Sequence, residues 1–197
     1  MAQIDNALAD YLPADDAEER FKARMLALLA DEPRAFWRDA FAPGHFTGSA
    51  LVTSRRRDKV LLMQHKLIGR WMQFGGHADG VPDLARVALR EASEESGFPE
   101  STFIPCGGIL DIDIHAIPAN PKRNEPPHEH FDVRYLLELD EAIPLPPNPE
   151  RLILRWLPLC EAAQLVAGEQ GPLRMLAKLA TGPTGPERSD APPGARR

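Results

Sequence analysis

The sequence predicts a mixed α/β domain, with helices packed on a sheet and a helical arm in front. Three observations point to it. Short runs suited to strands recur through the middle of the chain, several of them alternating apolar and polar. A helix-period segment at about 82–96 interrupts them, directly after a glycine pair. Further helix-period segments precede and follow the strands, at 14–30 and 159–180. At 197 residues the chain holds one domain with extensions, or at most two small ones, and an apolar fraction of 43% is ample for a core.

The arm, residues 1–45, contains an amphipathic helix over 14–30. Phe21, Met25, Leu28 and Leu29 fall at helical spacing, Asp16 with Glu19 resembles a capping box, and Pro33 ends the helix. Ala35–Phe41 suits a second short helix before the Pro43-Gly44 turn. The arm reads as a packing or dimerisation element, with nothing catalytic in it.

The main domain spans 46–180. Ser49–Thr53 and Lys59–Gln64 read as strands joined by a basic turn, and Trp71–Phe74 as a short strand leading into Gly75-Gly76. The helix from Pro82 to Ser96 is stopped by Gly97 and Pro99. Pro82 suits a first helical position, and Asp83 then adds negative charge to the first turn. Phe103–His115, His130–Leu139 and Leu152–Leu157 read as strands, with a proline-rich loop over 116–127. Leu159–Val166 and Pro172–Ala180 close the domain as helices, and 181–197 reads as a disordered tail.

A formal net charge of −6 argues against binding nucleic-acid polymers, which need a basic surface. Small anions stay open as ligands, because a bound cation reverses the local sign. Two cysteines, Cys106 and Cys160, make no disulfide framework and read as buried free thiols. No basic segment followed by an apolar run opens the chain, and no stretch has membrane-spanning length, so a cytoplasmic location without membrane contact is expected.

The most informative stretch is Arg90-Glu91-Ala92-Ser93-Glu94-Glu95-Ser96-Gly97. On a helix, Glu91, Glu94 and Glu95 project in nearly the same direction. Three like charges that close repel unless a cation faces them. Hard divalent ions such as Mg²⁺ or Mn²⁺ take oxygen ligands and commonly sit beside a phosphate. Leu84 and Val87 share the azimuth of Glu91, so the acidic patch continues the apolar stripe instead of opposing it. Arg90 lies four residues before Glu94 and can orient that carboxylate. Gly75 and Gly76 let backbone approach a metal and a phosphate closely, which adds Gly76 to the candidate metal shell.

A second constellation lies on two later strands. Alternation places Asp111, Asp113 and His115 on one face, and His128, His130, Asp132 and Arg134 on one face of the next strand. The two ladders can sit side by side, either as a solvated face or as a pocket wall for substrate or a further metal. His-x-His puts both imidazoles on one side, as a metal site needs, but no complete ligand spacing is present. His77, after the glycine pair, together with Lys122 and Arg123 in the long loop, completes the candidate substrate contacts. Trp71 and Phe74 suit base stacking or core packing.

Residues 76–98 resemble the Nudix box: Gly, five residues, Glu, seven residues, then Arg-Glu-apolar-x-Glu-Glu-x-Gly-apolar. Gly76 matches the first glycine, and Arg90, Glu91, Ala92, Glu94, Glu95, Gly97 and Phe98 match the whole second half. Pro82 stands where the pattern has its first glutamate, with Asp83 one place late, which bears on the outer metal shell more than on the reaction. The resemblance implies an α/β/α sandwich and a small-molecule diphosphate substrate, often a nucleoside diphosphate linked to another group. It implies hydrolysis dependent on Mg²⁺ or Mn²⁺, with Arg90, Glu91, Glu94 and Glu95 as the catalytic set. Homodimers are common in the family. The general base stays open among Glu95, Glu125 and Glu129. Two rivals accompany this expectation. One is a non-catalytic nucleotide-binding sensor of the same fold. The other is an isopentenyl diphosphate isomerase, which needs a cysteine near the glycine loop where this chain has His77.

Overall fold

The computed structural model describes residues 2–65, 69–147 and 152–182. At its centre lies β1 (Gly44–Ser54), buried along its whole length. It runs parallel to β6 (His128–Leu139) and antiparallel to both β2 (Lys59–Gln64) and β4 (Phe74–His77). β2 also pairs with β3 (Trp71–Met72) and β7 (Ile153–Pro158), and β5 (Ile104–Ile117) pairs antiparallel with β6. A strand with neighbours on both edges and helices over both faces has no wet side, so its sequence need not alternate.

Helices cover the two faces. Phe46, Ala50 and Val52 of β1 share a core with Leu84, Val87 and Ala88 of α3 (Leu84–Ser96) and Met25 and Leu28 of α2 (Asp16–Asp31). Ile4 and Leu8 of α1 (Ala2–Asp10) join the same cluster. On the other face Leu51, Leu62 and Leu136 pack against Ala162 of α4 (Leu159–Leu165) and Met175, Leu176 and Leu179 of α5 (Gln170–Thr181). The result is the α/β/α sandwich with a mixed sheet and an N-terminal helical extension.

Register stacks polar residues in rows on the α5 side. His45 aligns with His130 and His115, Thr47 with Asp132 and Asp113, and Ser49 with Arg134 and Asp111. The two ladders therefore do lie side by side, but the face is not solvated. Arg134, only 3% exposed, donates to Asp132 (2.7 Å), Asp111 (3.0 Å) and Asp113 (3.0 Å). Arg174 of α5 donates to Asp111 (2.7 Å) and lies 2.9 Å from Glu18 of α2. Lys178 donates to Asp111 (2.8 Å), to the Tyr11 hydroxyl (2.7 Å) and to Glu18. Three cations thus meet four carboxylates beneath the closing helix, and Glu18 draws the N-terminal helices into the same network. Burial alone would make each charge costly, so only completeness keeps the cluster favourable.

Several local expectations change. The capping residue of α2 is Asp15, whose carboxylate accepts the Glu18 N–H at 2.8 Å, not Asp16. Residues 35–41 form successive turns instead of a helix, and α1 lies where no helix was expected. Pro82 lies outside α3: Asp83 is the cap, accepting the Arg86 N–H at 3.1 Å. β1 starts at Gly44 and β6 at His128, both earlier than expected, because Gly44 pairs with Glu129 of β6 and His128 with Ile117 of β5. The cysteines are not buried: Cys160 is exposed on α4 and Cys106 is half-buried. Helix α5 runs through Thr181, and the expected tail from 183 onward lies outside the described residues.

Arg134→Met should lower stability by about 3–5 kcal/mol, because it leaves buried carboxylates without their cation. Urea unfolding checks this, with Arg24→Ala, which breaks a surface pair with Glu129, as a control that barely moves the midpoint. The pH dependence carries a second signature. Burial opposes ionisation of Asp113, yet the His115 hydrogen bond and the Arg134 and Arg174 charges outweigh it and hold its pKa down to about 2. The folded state therefore binds that proton less tightly than the unfolded chain. Its contribution is complete above about pH 4 and is lost as pH falls toward the folded value. Asp113→Asn should flatten the stability curve between those limits.

Candidate metal and substrate site

Helix α3 is placed by its apolar stripe. Leu84, Val87, Ala88 and Ala92 are buried against the sheet, and Gly97 ends the helix at φ 82°. Gly97 takes this left-handed conformation without the strain a side chain would bring. The stripe fixes the azimuth of the glutamates beyond it.

β4 meets those glutamates edge-on. The Gly75 N–H donates to Glu95 Oε2 at 2.9 Å. Arg90 Nη2 donates to the His77 carbonyl at 2.8 Å and to Glu91 Oε1 at 2.5 Å. Arg90 Nε stands 4.0 Å from Glu94 Oε1, so its principal carboxylate partner is Glu91, not Glu94. At Gly76 a Cβ would collide with the Glu91 carboxylate, which explains why no side chain fits there. The Glu91 side chain is 15% exposed and that of Glu94 59%. Burial pushes the Glu91 carboxyl above its usual range, with Glu94 and Asp79 adding to this against the pull of Arg90. A carboxylate whose charge is uncomfortable without a cation, beside two more and a side-chain-free backbone, fits a hard divalent ion. Glu91, Glu94, Glu95 and the Gly76 backbone are the residues able to hold it.

On the other face of β4, His77 enters a cluster that holds five of the chain's six histidines. Its ring centroid lies 5.1 Å from those of both His45 and His130. His45 stands 5.0 Å from His128 and 4.9 Å from His130, and His115 5.4 Å from His130. Burial lowers the His77 pKa to about 4, with Arg38 and His45 adding to it. Burial and the surrounding rings bring His130 to about 2. Burial likewise lowers the His45 pKa, so these three enclosed rings, His45, His77 and His130, disfavour the charged form. His77 thus serves both faces, its carbonyl gripping Arg90 and its ring packed among imidazoles.

An open recess of about 460 Å³ borders this cluster, lined by Phe41, Pro121, Asn124, Glu125 and Pro126. Phe41 also stacks 5.0 Å from His128. Lys122 and Arg123 stand exposed on the single 3-10 turn of the same loop. Glu129 is paired with Arg24, while Glu125 lies 4.0 Å from Arg38. Phe74 is buried in the core and Trp71 packs against the α5-side cluster, so both are packing residues.

Three residues of this region were not singled out from sequence: His45, Arg38 and Asp79. Extending the β1 pattern back to Gly44 would have set His45 on the face of Thr47 and Ser49. Asp79 sits in the turn after β4 with φ 48°, and its charge acts on Glu91, His45 and His77. No local pattern marks Arg38 or Asp79.

The NUDIX domain family model matches residues 45–179. A curated relative, the "Probable DHNTP pyrophosphohydrolase" of Lactococcus lactis subsp. cremoris (strain MG1363), is 35% identical over 95 residues, covering 48% of this chain. The match spans 54% of that relative, about half its length. Among solved structures, the C. elegans Ap4A hydrolase superposes with a TM-score of 0.52 at 18% identity, covering 69% of this chain and 96% of that one. The E. coli dihydroneopterin triphosphate pyrophosphohydrolase gives 0.51 at 16% identity, covering 69% and 95%. At such identities the structural likeness speaks to the fold, and among the described residues no helix is long and apolar enough to cross a membrane. The family match spans well over half of the sequence, including the glycine loop and the glutamate helix, and the chain belongs to the Nudix family.

Proposed function

We propose that this protein is a divalent-metal-dependent hydrolase of a diphosphate linkage in a nucleoside diphosphate joined to another group, or a related compound. The observation that carries the reading is the clamp between β4 and α3: Gly75 on Glu95, and Arg90 on both His77 and Glu91. It fixes Glu91 and Glu95 as candidate metal carboxylates against the Gly75-Gly76 backbone, which Glu91 approaches too closely for a side chain at position 76. A binding module needs no such clamp on acidic groups.

A bound Mg²⁺ or Mn²⁺ supplies charge neutralisation on the phosphates and a more acidic water. The rest falls to the chain. Glu91, Glu94, Glu95 and the Gly76 backbone would hold the ion, and Arg90 keeps Glu91 oriented, as neighbours of metal ligands do. A carboxylate not committed to the ion would accept the proton of the attacking water, either Glu95 or Glu125 of the recess, whereas Glu129 is engaged by Arg24. The recess beside Phe41 receives the group attached to the diphosphate, and Lys122 and Arg123 meet its outer charge. His77 bounds the site between the two.

Release of nucleotide, sugar phosphate, phosphate or pyrophosphate from a panel of diphosphate compounds tests the reading, with Mg²⁺, with Mn²⁺ and with chelator. The panel includes dihydroneopterin triphosphate, Ap4A, ADP-ribose and sugar nucleotides. Metal-dependent cleavage of at least one compound is expected; tight binding without cleavage would shift the protein to a sensor. Glu95→Gln should lower turnover by at least about 100-fold. Arg90→Lys, which loses the planar fork but keeps the charge, should lower it by about 10–100-fold and be partly rescued by added metal. Unchanged turnover in Glu95→Gln would falsify the assignment.

A further inference from the structure

We propose that His45, His128 and His130 form a second metal site, separate from the carboxylate centre, for a transition ion that prefers imidazole nitrogen, Zn²⁺ foremost. It goes beyond the hydrolase reading and does not depend on it. Three observations carry it.

The first is convergence. One ring nitrogen from each of the three residues lies within 4.8 Å of the other two. Parallel pairing puts His45 directly opposite His130, and His128 begins the same strand two residues earlier. A filled site has Zn–N bonds of about 2.0–2.1 Å, so binding draws the rings inward. The third ligand comes from β1, far away in sequence, which is why no spacing motif displays the site.

The second is proton placement. His45 Nδ1 lies 3.2 Å from the Ala40 carbonyl, and His128 Nδ1 lies 2.8 Å from the Pro126 carbonyl. A carbonyl only accepts, so Nδ1 carries the hydrogen in both rings and Nε2 carries the lone pair. Metal-binding histidines are commonly oriented in this way, by donating their other nitrogen to a backbone carbonyl.

The third is the condition of the remaining nitrogens. His45 is 1% exposed, and its Nε2 is buried without a hydrogen-bond partner among the described residues. The same holds for His130 Nε2. Leaving buried polar atoms unsatisfied is expensive, of order 1–3 kcal/mol each, and such atoms call for a ligand. The chemistry also separates the two centres. Imidazole suits Zn²⁺ and its neighbours, while carboxylate oxygen suits Mg²⁺ and Mn²⁺. Three protein nitrogens leave one position for water or a phosphate oxygen, and the site borders the recess through Phe41.

The test is Zn²⁺ and Co²⁺ titration of the full chain in excess Mg²⁺, read by calorimetry and by the visible absorption of bound Co²⁺. The expected result is one ion per chain with a strong tetrahedral-type Co²⁺ band. Affinity should fall at least tenfold in His45→Gln and in His128→Gln, and stay within about twofold in Glu94→Gln. Circular dichroism confirms that each variant is folded. His128→Gln, at a strand end, guards against a folding defect at the more enclosed His45. Absence of a bound ion overturns the proposal. So does full affinity in folded His45→Gln or His128→Gln, or loss of the ion in Glu94→Gln with retention in the histidine variants. Hydrolysis is not part of the readout, so failure here leaves the diphosphatase reading standing, and the reverse.

Discussion

Arg90 grips strand and helix at once. Its guanidinium donates to the His77 carbonyl on β4 and to the Glu91 carboxylate on α3, and the neighbouring Gly75 N–H closes on Glu95. Without that grip, three glutamates on one helix face would be held only by the packing of Leu84 and Val87, and their mutual repulsion would favour spreading apart. With it, Glu91, Glu95, the glycine backbone and His77 form one body. A planar, permanently charged fork suits this better than a lysine would, because two acceptors at fixed angles must be satisfied together.

The opposite face is organised by a second cation. Arg134 gathers Asp111, Asp113 and Asp132 from two strands, and Arg174 and Lys178 close the cluster from α5. Through Glu18 the network reaches α2, so both ends of the described chain converge on the same buried charges. The aspartates thus divide from the histidines along the same strands. The inner rows are structural ion pairs, and the outer row, at the end of the sheet near the recess, is imidazole. One alternating pattern yields both because register sets depth, and depth sets whether a helix or a loop lies above.

Much of this was legible in the chain. The glutamate triad, its place on the apolar stripe and the glycines before it follow from local periodicity, which helix geometry makes visible in sequence. The pairing of the two polar ladders was equally visible in the alternation of 111–115 and 128–135. What lay above them was not. Burial of Arg134 depends on Glu18, Arg174 and Lys178, all distant in sequence, so the solvated and buried readings could not be separated from the strands alone. His45 escaped notice for the same reason: its partner is the parallel strand β6, and parallel pairing leaves no nearby signal. The turns at 35–41 took the place of a helix where the chain must pass over the sheet and enter β1 through Pro43.

The account's central claim is that the α3 carboxylates, clamped to β4, hold the reactive metal. Anomalous scattering from crystals grown with Mn²⁺ and a non-hydrolysable diphosphate tests it most directly. The account predicts a manganese peak about 2.1 Å from carboxylate oxygens of Glu91, Glu94 and Glu95, with a diphosphate oxygen completing the shell. A saturating Mn²⁺ soak that leaves those three carboxylates without metal, or places the diphosphate elsewhere on the protein, would contradict it.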